Sequence, residues 1–362
     1  MNILLSGMRD DRVEMNLSAA LAAAGNNVYV INGVDSAAAE WCRSHALSHV
    51  EYSFRHRFDL QAIDLYRNLF RQYRYDIVHC QTSRALSTAL LATRNMRNPP
   101  KIVAYRGTVG HLHRWDPISR LSHLHPRVGT IACVSGAVRR YLLNCGIPDA
   151  RLAVIWKGHD PAWYVPAPRM TLLEFGIPPS AVVACFVGNI RPVKGVDVLL
   201  DAFDTVAPDE HLHLIIIGEI RDRRIGSRIG CHPCVHFTGF RPDAAALAGA
   251  CDIAVMPSIG REGLPRAILE AMAQGVPPVV TDVGGLSELV VDSECGIVVP
   301  PRDPRALRDA LFRLARNSEL RCQLGANARA RIAGPFHFRH TVEKTINLYQ
   351  RLLAEDNPPS VL

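Results

Sequence analysis

The sequence predicts an α/β protein built from two doubly wound parallel-sheet domains. Its 362 residues exceed one ordinary domain. Short apolar runs alternate with helical patterns, which is typical of βαβ units and parallel sheets. A proline-rich stretch at residues 161–168, followed by Pro178-Pro179, separates two such series. We therefore expect an N-terminal domain over residues 1–165 and a C-terminal domain over residues 170–340.

Each series is predicted from its apolar runs and its turn signals. The predicted strands are 2–6, 28–31, 77–79, 102–105 and 130–134 in the first series, and 182–187, 212–217, 235–237, 253–256 and 278–281 in the second. The predicted helices of the first series include 13–24, which ends at Gly25, and 60–73. Residues 341–354 form an amphipathic pattern that predicts a final helix.

The most informative stretch follows the strand at 253–256, where Glu262 and Glu270 stand eight positions apart. Pro265 suits the first position of a helix, and Gly275 suits the residue just past its end. Because a helix N-terminus presents unpaired N–H groups to a phosphate, and carboxylates accept hydrogen bonds from hydroxyls, the pattern indicates a ligand that carries both groups. The alternative is that Glu262 caps the helix and Glu270 is solvated on its outer face.

Composition and charge narrow the classes of partner. No apolar run is long enough to span a membrane, and charged residues from Arg9 onward interrupt the N-terminal run too early for a signal peptide, so we expect a cytoplasmic protein. Residues 1–165 carry 20 Lys and Arg against 12 Asp and Glu, whereas the remainder carries 21 against 22. A basic half binds nucleic acid, an anionic membrane or an acidic small molecule. Basic clusters with aromatic neighbours, at residues 67–75 and 94–101, favour a peripheral membrane face, with an ordinary solvated surface as the alternative.

The ten cysteines are scattered, several of them within apolar runs, which predicts buried free thiols in a reducing compartment. Cys231 and Cys234 form a Cys-x-x-Cys pair close to His236. The pair precedes a strand, whereas a redox pair opens a helix, and no second ligand pair stands at zinc-knuckle spacing. We therefore predict an inert loop.

Over residues 180–310 the sequence resembles the retaining family 4 glycosyltransferases, which have the two-domain GT-B fold. The resemblance is carried by residues 257–258, 262–265, 270–273, 275–280, 284–285 with Glu288, and 296–301, and upstream by 186–195 and 235–240. It implies two Rossmann-like domains facing across a cleft, with the C-terminal segment at about 341–362 crossing back to the first domain. Before residue 130 the resemblance is patchier.

The resemblance also implies roles for individual residues. Lys194 and Arg191 stabilise the departing diphosphate of a nucleotide-sugar donor, since both are fixed cations on a loop that follows a strand. Glu262 binds the donor sugar, Glu270 binds the ribose, and the backbone at Gly239 and Phe240 meets the base. The other donor-binding positions are Gly7, Gly188, Gly263 and Leu264. No Asp-x-Asp occurs to hold a divalent metal, so neither a metal nor another cofactor is expected.

Three positions depart from the family pattern. Asn189 stands where the family has an arginine after Gly188, and Lys157 replaces the asparagine of an Asn-Gly-x-Asp hinge. Arg106-Gly107 replaces a His-Gly pair, which exchanges a neutral imidazole for a permanent cation. His111 and His113 are close enough in sequence to substitute for that histidine. We expect Arg106 to contact the acceptor or the donor phosphate inside the cleft.

The sequence therefore predicts a glycosyltransferase that acts on an anionic envelope glycan or glycolipid, such as a lipopolysaccharide-type acceptor. It works in the cytoplasm, with peripheral contact at the inner face of an anionic membrane. One alternative is a catalytically silent binder of sugar nucleotides or glycans. A dinucleotide-dependent oxidoreductase would need Gly-x-Gly-x-x-Gly after the first strand, which residues 7–12 lack. Nucleic-acid binding lacks any recognition motif.

Overall fold

The computed structural model of the chain describes residues 1–113, 115–207 and 211–354. The chain folds into two compact units. Unit 1 contains Met1–Lys157 together with the segment that starts at Phe338, and unit 2 contains Gly158–His337.

Unit 1 is built on a seven-stranded parallel sheet in the order β3-β2-β1-β4-β5-β6-β7. Its strands are β1 (Asn2–Met8), β2 (Asn27–Asn32), β3 (Ser48–Glu51), β4 (Ile77–Cys80), β5 (Lys101–Arg106), β6 (Val128–Cys133) and β7 (Leu152–Val154). Its first helices are α1 (Arg12–Ala23), α2 (Ala37–Ser44), α3 (Leu60–Gln72), α4 (Ser83–Ala92), α5 (Pro117–Arg120) and α6 (Gly136–Asn144). The central strands are almost wholly buried, as expected for a parallel sheet covered on both faces.

Side-chain caps fix where the long helices of unit 1 begin. Asp11, Ser36, Asp59, Thr82 and Ser135 each accept a hydrogen bond from a backbone N–H in the first turn of α1, α2, α3, α4 and α6. These side chains satisfy donors that a helix leaves unpaired at its N-terminus, and each contributes about 1 kcal/mol.

Unit 2 repeats the design with a six-stranded parallel sheet in the order β10-β9-β8-β11-β12-β13. Its strands are β8 (Val182–Val187), β9 (Leu212–Ile217), β10 (Val235–Gly239), β11 (Ile253–Met256), β12 (Pro278–Thr281) and β13 (Ile297–Val299). Its helices are α7 (Val196–Phe203), α8 (Arg223–Gly226), α9 (Ala244–Gly249), α10 (Arg266–Ala273), α11 (Leu286–Leu289), α12 (Pro304–Ala315) and α13 (Ser318–Ala333).

The helix α14 (Phe338–Ala354) returns the chain to unit 1. Leu348, Tyr349 and Leu352 pack into the core formed by β1 and α1. The Tyr349 hydroxyl lies 2.6 Å from Nδ1 of His79, and both side chains are buried. Burial, with a smaller contribution from Lys157, lowers the pKa of His79 from 6.5 to about 3. His79 is therefore neutral in the folded protein at neutral pH.

The neutral His79 predicts that acid destabilises the protein. Between pH 6.5 and about 3 the unfolded chain binds a proton at this residue and the folded chain does not, so the free energy of unfolding falls by about 1.4 kcal/mol per pH unit from this group as the pH drops. In urea unfolding between pH 7 and pH 5, His79→Asn is expected to show a smaller pH slope than the wild type. The control His45→Gln, at an exposed histidine, keeps the wild-type slope. Equal slopes for His79→Asn and the wild type would contradict this account.

Candidate active site

The candidate active site of unit 2 lies where the strand order reverses, between β8 and β11. In a doubly wound sheet the loops that follow the two strands at this point run in opposite directions, which leaves a crevice at their carboxyl ends. The loop after β8 carries Lys194 and the loop after β11 carries Glu262. Nζ of Lys194 lies 2.7 Å from Oε1 of Glu262, although the residues are 68 positions apart. The structure thus brings together two residues that the sequence places in a donor site.

Hydrogen bonds hold Glu262 in place. The Ser258 hydroxyl donates to Oε1 of Glu262 at 2.6 Å, and the Thr281 hydroxyl donates to the Ser258 carbonyl oxygen at 2.5 Å. Ser258 and Thr281 are buried, and Glu262 is only 7% exposed. Because the carboxylate already accepts from a cation and a hydroxyl, it is fixed as a charged acceptor at the bottom of the crevice.

Two glycines allow the loops to approach so closely. Gly195 has φ +66°, and a Cβ there would overlap the carbonyl oxygen of Pro257 in the loop after β11. Gly284 has φ +63°, and a Cβ there would overlap the carbonyl oxygen of Glu262 itself. At both positions the left-handed backbone and the lack of space require glycine.

The helices that leave this crevice begin without a side-chain cap. Gly195 is the N-cap of α7 and Pro265 that of α10, and no side chain in the described ranges caps either helix. Their first N–H groups therefore remain available to an anion, unlike those of the capped helices in unit 1. The prediction that Pro265 occupies the first helical position is wrong by one residue, because Pro265 is the N-cap and the helix begins at Arg266.

The other predicted donor-site residues lie on the same carboxyl edge of the sheet. The Gly188 N–H donates to the carbonyl oxygen of Ile217, and the Gly218 N–H donates to that of Gly239. Gly188 follows β8, Gly218 follows β9 and Gly239 ends β10, so the three glycines lie at the ends of adjacent strands. Phe240 comes next and is 70% exposed, an unusual position for an aromatic side chain.

The remaining predicted site residues of unit 2 differ in how exposed they are to solvent. Arg191 is exposed at the start of the 3₁₀ turn Pro192–Lys194. Gly263 is buried and Leu264 is partly buried in the loop before α10. Glu270 is mostly buried on α10, and its Oε1 lies 3.4 Å from Nε of Arg266, one turn earlier.

In unit 1 the predicted site residue Gly7 lies near the end of β1, and Arg106 is the last residue of β5. Gly7 has φ +71°, and a Cβ there would lie 2.8 Å from the Thr82 hydroxyl. Arg106 is buried, which lowers its pKa, and its guanidinium donates to the backbone carbonyls of Thr108 and Gly110. Arg106 thereby orders the loop that follows it. His111 and His113 are exposed in the same segment.

Unit 1 contains a buried ionic cluster that was not predicted from the sequence. Nζ of Lys157 lies 2.6 Å from Oε1 of Glu14 and 3.2 Å from Oδ1 of Asp11, and Arg9 also contacts the Glu14 carboxylate. The Lys157 ammonium lies 4.7 Å from the centre of the Tyr105 ring. The spacing of Asp11 and Glu14 is a helix-start pattern and agrees with the cap of α1, but nothing in the local sequence indicates their contact with Lys157, which lies 143 positions from Glu14.

The ten cysteines are free thiols, and most of them are buried. Cys231 is exposed and Cys234 is buried. Across residues 1–113, 115–207 and 211–354, no group of three or more His, Cys, Asp or Glu side chains is arranged to hold a metal ion.

Comparison with known families identifies the class of protein. Residues 12–163 match the Glycosyltransferase Family 4 family, and residues 181–317 match the Glycosyl transferases group 1 family. Together the two matches cover most of both units, so the chain belongs to the group 1, family 4 glycosyltransferases.

The individual relatives share about a third of their aligned residues with this chain. The chain is 31% identical to a D-inositol 3-phosphate glycosyltransferase of Corynebacterium glutamicum over 227 residues, which cover 58% of this chain and 54% of that protein. The chain thus spans about half the length of the curated relatives it matches.

Solved structures confirm the predicted GT-B fold. A glycosyltransferase from Rickettsia africae aligns with a TM-score of 0.81 and 19% identity, over 97% of this chain and 98% of that one. The Anabaena HepE protein in complex with UDP-glucose aligns with a TM-score of 0.79 and 20% identity, over 97% and 100%.

Gly195 provides a direct test of the crevice geometry. Gly195→Ala forces an L-residue into a left-handed backbone against the Pro257 carbonyl, so we expect a loss of about 1–3 kcal/mol in the free energy of unfolding. Gly226→Ala is the matched control, because Gly226 lies in α8 with nothing within 4 Å of an added Cβ and without a left-handed backbone. Urea unfolding of both variants measures the difference. Equal stability of the two variants would mean that the close approach of the loops is not required.

Proposed function

We propose that the chain is a retaining glycosyltransferase that moves a sugar from a nucleotide-diphosphate sugar to a hydroxyl of an anionic envelope glycan or glycolipid. The observation that carries the proposal is the Lys194–Glu262 pair, held at the switch point of unit 2 beside two helix N-termini that lack side-chain caps. This arrangement offers a cation and N–H donors to a diphosphate, and a fixed carboxylate to sugar hydroxyls.

The donor occupies the carboxyl edge of the unit 2 sheet in this proposal. Lys194, Arg191 and the first N–H groups of α7 and α10 receive the diphosphate. Glu262 accepts hydrogen bonds from the transferred sugar, and Glu270 accepts them from the ribose. Gly239 and the exposed Phe240 meet the base. The UDP-glucose complex of the structural neighbour HepE supports a nucleotide-sugar donor.

The chemistry follows from the charges of this site. The bond between the anomeric carbon and the diphosphate oxygen breaks, and the cations stabilise the negative charge that develops on the leaving group. The acceptor hydroxyl attacks from the side of the departing phosphate and transfers its proton to it, so the anomeric configuration is retained. Neither a protein base nor a divalent metal is required. Lys194 and the helix N-termini supply the positive charge that a metal would otherwise provide.

Relatives support an anionic acceptor. The Corynebacterium relative is named for inositol 3-phosphate, an acceptor that carries a phosphate. The basic excess of the first 165 residues lies in unit 1, and a positive field raises the rate of encounter with an anionic partner.

A groove between α3 and α4 of unit 1 is the surface we propose for contact with an anionic membrane at its cytoplasmic face. It has a volume of about 680 Å³ and combines cations with apolar side chains. Its lining includes Arg67, Phe70, Arg71, Arg94 and Met96. None of the described helices is long and apolar enough to cross a bilayer. Contact with lipid would therefore rest on this mixed surface.

A turnover assay tests the proposed function. Purified protein is incubated with a panel of nucleotide-diphosphate sugars and phosphorylated acceptors, in the presence of a divalent-metal chelator. We expect release of the nucleoside diphosphate and a product whose anomeric configuration, measured by NMR, matches that of the donor. Binding of donor without release would favour the catalytically silent binder, and dependence on added metal would overturn the proposed metal-independent mechanism.

The donor site predicts different defects for its two central residues. Lys194→Ala should lower kcat/KM by about 10²–10³-fold, because it removes a group that stabilises the departing charge. Glu262→Gln should lower kcat while nucleoside-diphosphate affinity changes little, since its partner is the sugar. Glu319→Gln, at an exposed glutamate of α13, is the control and should keep wild-type rates. Wild-type rates in both site variants would show that the assignment is wrong.

The membrane surface predicts charge-dependent binding to vesicles. Arg71→Gln with Arg94→Gln should weaken sedimentation with phosphatidylglycerol vesicles about tenfold or more, since each cation near such a surface contributes about 1 kcal/mol. The double variant Arg313→Gln with Arg329→Gln removes the same charge from exposed positions of α12 and α13 in unit 2 and should bind like wild type. Equal binding to neutral and anionic vesicles would contradict the proposal.

A further inference from the structure

A second pocket lies at the carboxyl edge of the unit 1 sheet. Its volume is about 510 Å³. The strand order of this sheet reverses between β1 and β4. The pocket is lined by Gly7 near the end of β1 and by Thr82 to Arg84 after β4, together with Tyr52 and Arg57. It therefore occupies the switch point of unit 1, the position at which doubly wound sheets bind ligands.

The cations of this pocket have no carboxylate partners. Neither Arg57 nor Arg84 forms an ion pair with any residue in the described part of the chain, and neither does the nearby Arg106. Arg84 donates to the backbone carbonyl of Phe54 at 3.0 Å. Nη1 of Arg57 is buried and meets no hydrogen-bond acceptor among the described residues. A buried donor left in this state carries a desolvation cost that a bound acceptor would offset.

Some other arginines of unit 1 differ from those at the pocket because they form ion pairs. Arg9 pairs with Glu14, Arg43 with Glu40 and Glu51, and Arg139 with Asp149. These arginines are neutralised by carboxylates, whereas among the described residues no such ion pair forms at the pocket.

The electrostatic surroundings of Arg57 combine a second cation, Arg106, with one partly exposed carboxylate, Asp116. The hydrogen bond from Ser119 and, as a smaller cause, the charge of Arg57 lower the pKa of Asp116. Burial, then Arg106 and to a smaller extent Arg57, lower the pKa of His123 to about 4. Burial also lowers the pKa of Arg106, with Arg57 among the smaller causes. The nearby carboxylates are engaged elsewhere: Asp59 accepts from the N–H groups of Arg55 and Ala62, and Asp116 accepts from those of Ile118 and Ser119.

The N-terminus of helix α4 adds positive electrostatic potential at the pocket. The ten-residue helix α4 starts at Ser83, beside the pocket, so its positive dipole end lies there. Thr82 caps the N–H of Ala85, and Ser83, which carries a hydroxyl, lines the pocket. Two guanidinium groups, a hydroxyl and a helix N-terminus form a set suited to the oxygens of a phosphate or a carboxylate.

We infer that this pocket binds the anionic group, a phosphate monoester or a carboxylate, of the sugar acceptor, and that Arg57 and Arg84 are the residues that hold it. The identification of the ligand as the sugar acceptor rests on the proposed function. The binding of an anion at this pocket does not depend on that function. In this arrangement Arg106 orders the adjacent loop and contributes charge without contacting the ligand through its bonded N–H groups.

Calorimetric titration with soluble probes tests the pocket. Glucose 6-phosphate and glucuronate represent the two anionic groups, and glucose is the neutral reference. We expect the wild type to bind at least one anionic probe and to bind glucose at least about tenfold more weakly. Arg57→Gln and Arg84→Gln should each lower the affinity for the anionic probe by about tenfold or more, which is the range for losing one hydrogen bond from a charged group. Dihexanoyl phosphatidate, titrated in parallel, shows whether a lipid-borne phosphate is preferred to a soluble one.

Two control variants make the result specific. Arg43→Gln removes a cation of the same unit that is paired with carboxylates, and it should bind the anionic probes like wild type. Lys194→Ala removes the cation of the proposed donor site in unit 2 and should also leave this binding unchanged. Equal affinity for all three sugars, or undiminished binding by Arg57→Gln and Arg84→Gln, would overturn the inference.

The outcome is separable from that of the proposed function. Probe binding that depends on Arg57, in a protein that releases no nucleotide from any donor, would sustain the anion pocket and reject the transferase. Sugar transfer to a phosphorylated acceptor with the same kcat and KM in wild type and Arg57→Gln would sustain the transferase and reject the assignment of this pocket to the acceptor.

Discussion

The reversal of strand order in each sheet is the constraint on which both candidate sites depend. Parallel strands send their connections over opposite faces, and where the direction of winding changes the loops part and leave a crevice. In unit 2 this point lies between β8 and β11, and in unit 1 between β1 and β4. Side chains from distant parts of the sequence meet there because the carboxyl ends of the strands lie on one edge.

The two crevices differ in whether their cations are paired with carboxylates. In unit 2 the cation of Lys194 is matched by the buried carboxylate of Glu262, so the site is neutral in itself and has both signs available for a ligand with phosphates and hydroxyls. In unit 1 the arginines at the pocket find only backbone carbonyls in the described ranges, or no acceptor at all. An ion pair at the bottom of a crevice orients a ligand, whereas uncompensated cations attract one of opposite charge.

A further buried ionic cluster stabilises unit 1 near the end of its first segment. Lys157, the last residue before the chain enters unit 2, is held by Glu14 and Asp11 at the start of α1. The helix α14 packs against the same helix α1, and it places Tyr349 against His79. Two long-range contacts therefore fix both points at which the chain leaves and re-enters this unit. Removing Tyr349 would leave the buried Nδ1 of His79 without its partner.

The sequence by itself determined the alternation of strands and helices. The strands over residues 182–187, 212–217, 253–256 and 278–281 lie where they were predicted, because fully buried parallel strands read as short apolar runs bounded by turn residues. Helix ends were less well determined, as Pro265 shows, because a proline suits both the cap and the first helical position. The family resemblance identified Lys194 and Glu262 as site residues. Only the tertiary structure decided that they meet and that Arg57 and Arg84 share a pocket, because these contacts depend on loops closing over tens of residues, which local preferences do not specify. The turn of Arg106 onto Thr108 and Gly110 is local in sequence, but it was decided by the burial of this side chain at the end of β5.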